Sequence, residues 1–204
     1  MKTLTIALIG GGGRGSGYTK YALEYPEKFK VTAIAEPVDE KREYLAKLHN
    51  IPEDRQFATW EELLTQGKIA DIAMICTQDR DHFAPAMKAM ELKYDLLLEK
   101  PISPFPEECK KIAQSAKDNN VKVLVCHVLR YTEFYKTIKN FIDDGKLGEI
   151  MNIDHIEGVG NIHQSHSFVR GNWKNSDESA PMILAKSCHD TDLLQWLIGK
   201  PCTK

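Results

Sequence analysis

The chain has 204 residues, of which 42% are hydrophobic and 27% charged, and its formal net charge is −2. This composition is typical of a soluble globular protein, and the length suits one large domain, or one domain and part of another. Lysine and arginine form no basic run, which argues against a nucleic-acid partner. No apolar run approaches the roughly 18 residues of a membrane helix, so we predict no membrane association.

The cysteines indicate a reducing compartment. There are five, an odd number, and none forms a C-x-x-C pair. Cys76 and Cys126 each end an apolar run, which favours small buried hydrophobic residues over a disulfide framework. We therefore predict a cytoplasmic protein.

Short apolar runs alternate with amphipathic patterns over the first 126 residues. Strands are predicted at residues 4–9, 31–35, 71–76, 95–98 and 122–126. Helices are predicted at residues 15–25, 39–49, 80–92 and 106–119, with a short one capped by Thr59 and Glu62. Strands that are apolar at nearly every position are typical of a sheet covered on both faces. The alternation therefore predicts an α/β fold, a doubly wound parallel sheet of the Rossmann type, over residues 1–126.

The pattern changes at residue 127. A helix is predicted at residues 134–144 and a strand at 148–156, followed by a polar stretch and a helix at 182–198. A lone strand with helices rarely forms an independent domain. We therefore expect residues 127–204 to be the start of an incomplete α+β substrate and oligomerisation domain.

A glycine-rich turn follows the first predicted strand and opens the first predicted helix. Gly10, Gly12 and Gly15 fit the pattern G-x-G-x-x-G, with Gly13 and Arg14 inside it. Such a turn needs positive φ and a backbone that approaches a pyrophosphate without a Cβ. The helix N-terminus then offers N–H groups to the phosphates. The context predicts that these five residues bind a dinucleotide.

Glu36 ends the second predicted strand, about 20 residues after Gly15, where an acid binds the adenosine ribose hydroxyls. Its charge would repel a 2′-phosphate, so NAD is predicted over NADP. Arg42 is a candidate phosphate ligand, but we expect it on the solvated face of its helix.

Four stretches together resemble the glucose–fructose oxidoreductase, inositol dehydrogenase and rhizopine catabolism (Gfo/Idh/MocA) family. They are the glycine turn with Glu36, Cys-Thr-Gln-Asp-Arg-Asp-His at 76–82, Glu-Lys-Pro at 99–101, and Cys-His-Asp-Thr-Asp at 188–192. The resemblance spans nearly the whole chain. It implies an NAD(P)-dependent dehydrogenase of sugars, polyols or related cyclic alcohols.

The resemblance also implies roles for matching positions. The residues expected beside the nicotinamide are Thr77, Gln78, His82 and Glu99, although many relatives have proline at the position of Gln78. His127 and Arg130 match a segment that contacts substrate in relatives. The Lys100–Pro101 peptide bond is a candidate for the cis form.

Alcohol oxidation needs a hydride acceptor and a base for the hydroxyl proton. A lysine ammonium held among apolar groups loses its proton more easily, and histidine titrates near neutrality. We therefore predict Lys100 and His189 as the acid/base residues.

One departure from the family pattern affects this prediction. Many relatives carry Asp four residues before the histidine, where this chain has Ala185. Lys186 follows and can share the helix face of His189, so we predict it as a substrate-orienting cation, with Asp190 as an alternative. His163 and His166 suggest a metal, but no third ligand lies at a recognisable spacing, so none is predicted.

The expected partner is a small sugar or polyol, with a homo-oligomer when full length. Three alternatives remain open. One is an NAD-dependent glycosidase of the same fold, and another is a non-catalytic dinucleotide-binding module, which Ala185 would favour. The third is a flavin- or S-adenosylmethionine-binding Rossmann protein, because these proteins share the glycine turn. Relatives continue into a large sheet, so a truncated chain is expected to bind cofactor without turnover.

Overall fold

The computed structural model describes residues 2–200 and 202. The chain divides into two compact units, Met1–Val125 and Cys126–Lys204. We call them the first and second units.

The first unit is built on a six-stranded parallel sheet with the strand order β3-β2-β1-β4-β5-β6. The strands are β1 (Leu4–Ile9), β2 (Phe29–Ala35), β3 (Gln56–Phe57), β4 (Ile72–Ile75), β5 (Asp95–Leu98) and β6 (Val123–Val125). The predicted Rossmann architecture is confirmed. The prediction omitted β3, a two-residue edge strand that is too short to produce an apolar run.

Helices connect the strands and cover both faces of the sheet. They are α1 (Gly13–Glu24), α2 (Asp39–His49), α3 (Trp60–Thr65), α4 (Phe83–Glu91) and α5 (Pro106–Asn119). Alternate residues of β1 point to opposite faces: Ala7 packs in one core cluster with residues of α3, α4 and α5, and Leu8 in the other with residues of α1 and α2. The sheet is therefore doubly wound, as its all-apolar strands predict.

Local signals fix the ends of several helices. The Thr59 hydroxyl accepts from the Glu62 N–H, and the Glu62 side chain accepts from the Thr59 N–H, which is the predicted capping box. Helix α5 begins at Pro106 and ends before Asn120, which adopts a left-handed conformation.

Strand β1 lies between β2 and β4, so the chain moves outward in one direction before β4 and in the other after it. In such sheets a crevice opens beyond the carboxyl ends of the strands at this switch point. The glycine turn follows β1 and therefore lies at this crevice.

The second unit consists of a 3₁₀ turn (Val128–Tyr131), α6 (Glu133–Asp143), the short α7 (Asn161–Gln164), a single turn (Ser165–Val169) and α8 (Met182–Ile198). The strand predicted at residues 148–156 is not formed. A strand needs a neighbour to pair with its N–H and C=O groups, and the described part of this unit contains none. Across residues 2–200 and 202, no helix has the length and apolar character needed to cross a membrane.

Candidate dinucleotide and acid/base site

Two glycines of the turn occupy positions that no other residue fits. Gly10 has a φ of +95°, and a Cβ there would lie 2.6 Å from the carbonyl oxygen of Cys76 at the end of β4. A Cβ on Gly15 would lie 2.1 Å from the Gly10 carbonyl oxygen. These glycines therefore allow the turn to press against β4 and the first turn of α1 to press against the loop.

Gly12 and Gly13 face open space instead. A Cβ on either would meet nothing within 4 Å. Helix α1 begins here with no acidic residue in its first turn, and Arg14 is exposed beside it. The turn thus presents the open, N–H-rich end of a helix that an anionic pyrophosphate requires.

The carboxylate of Glu36 is fixed by backbone donors at the end of β2. Its Oε2 accepts from the Gly11 N–H at 2.6 Å and its Oε1 from the Val38 N–H at 3.1 Å. The residue is 6% exposed. Glu36 therefore connects the glycine turn to the carboxyl end of β2.

Arg42 was expected on the solvated face of its helix, but the structure does not place it on a fully solvated face. It is partly buried, its guanidinium donates to the Glu36 carbonyl oxygen at 2.7 Å, and it forms an ion pair with Asp39. These contacts hold its charge against the protein near the candidate ribose position.

The loops after β4 and β5 carry the residues implied by the family pattern. Gln78 is exposed and Thr77 is partly buried, with its hydroxyl donating to the Asp81 carbonyl oxygen at 3.0 Å. His82 is only 1% exposed. Its Nδ1 lies 2.8 Å from the Pro101 carbonyl oxygen and its Nε2 lies 3.2 Å from that of Thr77. His82 therefore contacts the two loops rather than an open surface.

Glu99 and Lys100 follow β5 directly. The buried Glu99 carboxylate accepts from the Lys100 N–H at 2.8 Å through Oε2, and from the Tyr18 hydroxyl of α1 through Oε1. The Lys100 side chain is partly buried, and the Lys100–Pro101 peptide bond is cis. Glu99 is thus held by donors on two sides, with Lys100 next to it.

In the second unit, Asp192 contacts Arg130 and lies near His127, two of the predicted substrate residues. Arg130 Nε lies 2.6 Å from Asp192 Oδ2, and a second guanidinium nitrogen lies 2.5 Å from Oδ1, a bidentate pair. These hydrogen bonds raise the pKa of Arg130. His127 Nε2 lies 3.9 Å from the same carboxylate, and the rings of His127 and His189 meet edge to face at 5.8 Å between centroids.

Other candidates lie along α8 and the extended segment before it. Ala185 is buried, and Lys186 is partly buried like His189. His155 Nε2 lies 2.9 Å from Asp190 Oδ1.

His155, Glu157 and Asp190 form a group with potential metal-binding atoms. Their ligand atoms lie within 4.8 Å of one another, so the fold supplies carboxylates that sequence spacing does not reveal. The hydrogen bond to Asp190 accounts for the position of His155, and Glu157 is exposed. We assign no metal to this group. His163 and His166 do not belong to it.

Comparison with known proteins identifies the family. Residues 4–127 match the family described as "Oxidoreductase family, NAD-binding Rossmann fold", and residues 139–204 match its "C-terminal alpha/beta domain". The chain belongs to the Gfo/Idh/MocA oxidoreductase family. The predicted resemblance is thereby confirmed, together with an NAD-binding Rossmann domain.

Several known proteins are similar to this chain over almost its whole length. An inositol 2-dehydrogenase of Corynebacterium glutamicum is 22% identical, and the match covers 97% of this chain and 55% of that protein. A 2,7-anhydro-N-acetylneuraminate hydratase of Escherichia coli is 23% identical over 97% of this chain and 50% of its own length. The WlbA dehydrogenase of Bordetella pertussis, solved with NADH and UDP-GlcNAcA, has a TM-score of 0.80 at 19% identity, over 97% of this chain and 56% of that one. The chain spans about half the length of the relatives it matches.

Sequence reasoning does not select two residues that hold predicted site residues, Tyr18 in the first unit and Asp192 in the second. Tyr18 lies three positions after Gly15, one turn along α1, and that spacing is the signal that could have linked it to the glycine turn. Asp192 lies three positions after His189 on α8, but its partner Arg130 is 62 residues away in sequence. Only the fold brings such pairs together.

Proposed function

We propose that this chain binds NAD in preference to NADP, and that the protein is a dehydrogenase of a sugar, polyol or related cyclic alcohol. The observation that carries the cofactor preference is the Glu36 carboxylate, held at the end of β2 by the N–H groups of Gly11 and Val38. A carboxylate there can accept from ribose hydroxyls and repels a 2′-phosphate. Arg42, the nearby cation, is already paired with Asp39 and the Glu36 carbonyl group.

The residues at the glycine turn fit a dinucleotide. Gly12 and Gly13 leave open the space that a side chain would fill, at the positive end of a 12-residue helix. When bound, the nicotinamide ring supplies the hydride acceptor or donor. The chain contributes the surrounding groups, with Thr77, Gln78 and Glu99 following β4 and β5 at the carboxyl edge of the sheet.

Lys100 and His189 are the proposed acid/base residues. In the oxidation direction, the Lys100 amine takes the hydroxyl proton as the carbon–hydrogen bond transfers its electron pair as hydride. His127, Arg130 and Lys186 are proposed to bind the hydroxyl groups of the substrate. Because the Arg130 guanidinium already makes a bidentate pair with Asp192, its remaining N–H groups are the ones left for a substrate.

A reaction without net oxidation is a second candidate, supported by Ala185 at the usual acidic position and by the hydratase among the relatives. An NAD-dependent glycosidase belongs to this class. Turnover that requires NAD⁺ but accumulates no NADH would favour it, and tight NAD⁺ binding without turnover would favour a binding module.

Calorimetric titration of the chain with NAD⁺ and NADP⁺ tests the cofactor proposal. We expect NAD⁺ to bind about tenfold or more tightly than NADP⁺. Glu36→Gln keeps an acceptor oxygen for the Gly11 N–H but removes the charge. It should therefore reduce the difference in affinity between NAD⁺ and NADP⁺ while the glycine turn is preserved. Glu40→Gln, on the exposed first turn of α2, is the matched control and should leave this difference unchanged. Equal affinities in the wild-type chain, or no binding of either dinucleotide, would refute the proposal.

A further inference from the structure

Lys100 lies between two residues that side chains from other elements hold in place. The Tyr18 hydroxyl, on α1, donates to the Glu99 carboxylate, and His82, just before α4, contacts the Pro101 carbonyl oxygen. We propose that Tyr18 and His82 are positioning residues that fix the backbone on both sides of Lys100. This inference rests on the proposed acid/base role of Lys100.

The first contact restrains Lys100 through Glu99. A carboxylate as buried as that of Glu99 needs donors, and it has them from the Tyr18 hydroxyl and the Lys100 N–H. Removing the Tyr18 hydroxyl leaves one carboxylate oxygen without that donor, so the side chain must turn or admit water. Since the other oxygen accepts from the Lys100 N–H, a turn of the carboxylate either displaces the lysine backbone or breaks that hydrogen bond, and both outcomes release Lys100.

The second contact restrains Lys100 through Pro101. Both ring nitrogens of His82 lie near carbonyl oxygens, at 2.8 Å for Pro101 and 3.2 Å for Thr77. A neutral imidazole has only one N–H to donate. With that hydrogen on Nδ1, the shorter contact is a hydrogen bond from His82 to the Pro101 carbonyl oxygen, and this is the tautomer that the inference requires.

Both contacts restrict the position of the Lys100 amine, which the proposed proton transfer requires. A lysine amine on a four-carbon stem is a flexible group, and proton transfer requires it within hydrogen-bond reach of the substrate hydroxyl. Fixing the backbone at both neighbours reduces the positions available to the amine. Because Tyr18 lies on the helix that the glycine turn begins, the same contact joins the cofactor turn to the position of the lysine.

Nuclear magnetic resonance tests whether Tyr18 and His82 fix Lys100. The lysines carry isotope-labelled dimethyl groups, and the position and width of the Lys100 signal are measured. Lys100→Arg identifies the Lys100 signal. We expect Tyr18→Phe to displace and broaden that signal in the chain without NAD⁺. Tyr21→Phe, on the same helix with an exposed ring, is the control and should leave the signal in place.

Two substitutions at His82 separate its two contacts. The amide nitrogen of Asn lies near the position of Nδ1 and that of Gln near Nε2, so His82→Asn should retain the wild-type Lys100 signal and His82→Gln should not. Thermal unfolding of each variant identifies any that lose the fold, and the His82 pair remains informative if Tyr18→Phe is one of them.

The outcomes distinguish this inference from the proposed function. If folded Tyr18→Phe and His82→Gln chains show the wild-type Lys100 signal, the positioning role is wrong even where NAD⁺ binds. If wild-type chain binds no NAD⁺, the proposed function fails, while the resonance data still decide whether the two side chains fix Lys100.

Discussion

The two units bury their apolar side chains to very different extents. In the first unit, strands β1, β2 and β4 contribute buried side chains to both core clusters, and β5 contributes them to one. In the second, α6 is strongly amphipathic yet has no buried residue, and Ile156 in the extended segment is 88% exposed. Among the described residues of that unit, the buried hydrophobic ones are Cys126, Ala180, Ala185, Leu193 and Leu197.

The difference shows what each unit relies on. Packing of apolar faces supplies most helix stability in proteins, and the first unit uses it throughout. Helix α6 has local contacts instead: Thr132 caps it, and the ion pairs Glu133–Lys136 and Lys139–Asp143 lie along it. Such pairs contribute only a few tenths of a kcal/mol each. We therefore expect the same substitution to cost far more in the first unit than in the second.

Matched leucines test this with the largest expected effect. Leu8, in β1, is 0% exposed, and Leu147, in the second unit, is 57% exposed. Leu8→Ala should lower the free energy of unfolding by about 2–5 kcal/mol, because it removes buried methyl groups and leaves a cavity. Leu147→Ala should change it by less than about 0.5 kcal/mol. Urea denaturation measures both, and equal losses would contradict the contrast.

Matched tyrosines give the next largest effect. The buried Tyr94 hydroxyl donates to the Gly67 carbonyl oxygen and accepts from the Ile69 N–H, both at 2.8 Å. Tyr94→Phe leaves those backbone groups unsatisfied and should cost about 1–3 kcal/mol. The partly exposed Tyr135 of α6 is the comparison, and Tyr135→Phe should cost less than about 0.5 kcal/mol.

The same tyrosine should make the first unit less stable at alkaline pH. Burial raises the pKa of Tyr94 above its ordinary value. Its stabilising contribution as a neutral phenol is therefore complete below about pH 10 and is lost as the pH rises through the folded-state pKa. Between neutral and alkaline pH, the free energy of unfolding should fall less for Tyr94→Phe than for the wild-type chain. Parallel losses would contradict this assignment.

A polar substitution tests whether the second unit relies on its ion pairs. Asp192→Asn weakens the bidentate pair with Arg130, whose guanidinium also lies 5.7 Å from the centre of the Trp196 ring. We expect a loss of about 1 kcal/mol in denaturant titrations followed by tryptophan fluorescence. Asp143→Asn, which removes a surface pair with Lys139, should have a smaller effect. The reverse order would show that the Arg130 pair does not stabilise this unit.

Sequence predicted the fold best where the signals are local. The predicted bounds of β1, β5, α2, α5 and α8 agree with the structure at both ends. Each combines an unbroken pattern with a residue that marks one end of the element. Pro106 marks the start of α5, and Gly199, with a φ of 69°, marks the end of α8. Caps and turn residues act within a few positions, so a single sequence contains them in full.

The missed features depend on particular distant partners. The run at residues 148–156 has strand composition, but pairing, not composition, makes a strand. The link between Tyr18 and Glu99 joins positions 81 residues apart, and no spacing rule marks it. The glycine turn could be predicted because its geometry is set by a short pattern with a known conformational need.

The smallest predicted effect concerns a surface ion pair of the first unit. Asp71 accepts from Lys2 Nζ at 2.6 Å and from the N–H and hydroxyl of Thr5 at 2.9 and 2.8 Å. The Lys2 hydrogen bond, with those from Thr5, holds the pKa of Asp71 well below its ordinary range. The contribution of a carboxylate with a depressed pKa is present above about pH 4 and is lost as the pH falls through the folded-state value.

Because the Lys2 side chain is 75% exposed, solvent screens the pair and we expect Asp71→Asn to cost about 0.5–1 kcal/mol at pH 7. That difference from the wild-type chain should shrink in acid. A difference that stays constant into acid would mean that Asp71 acts through shape and neutral hydrogen bonds rather than through its charge.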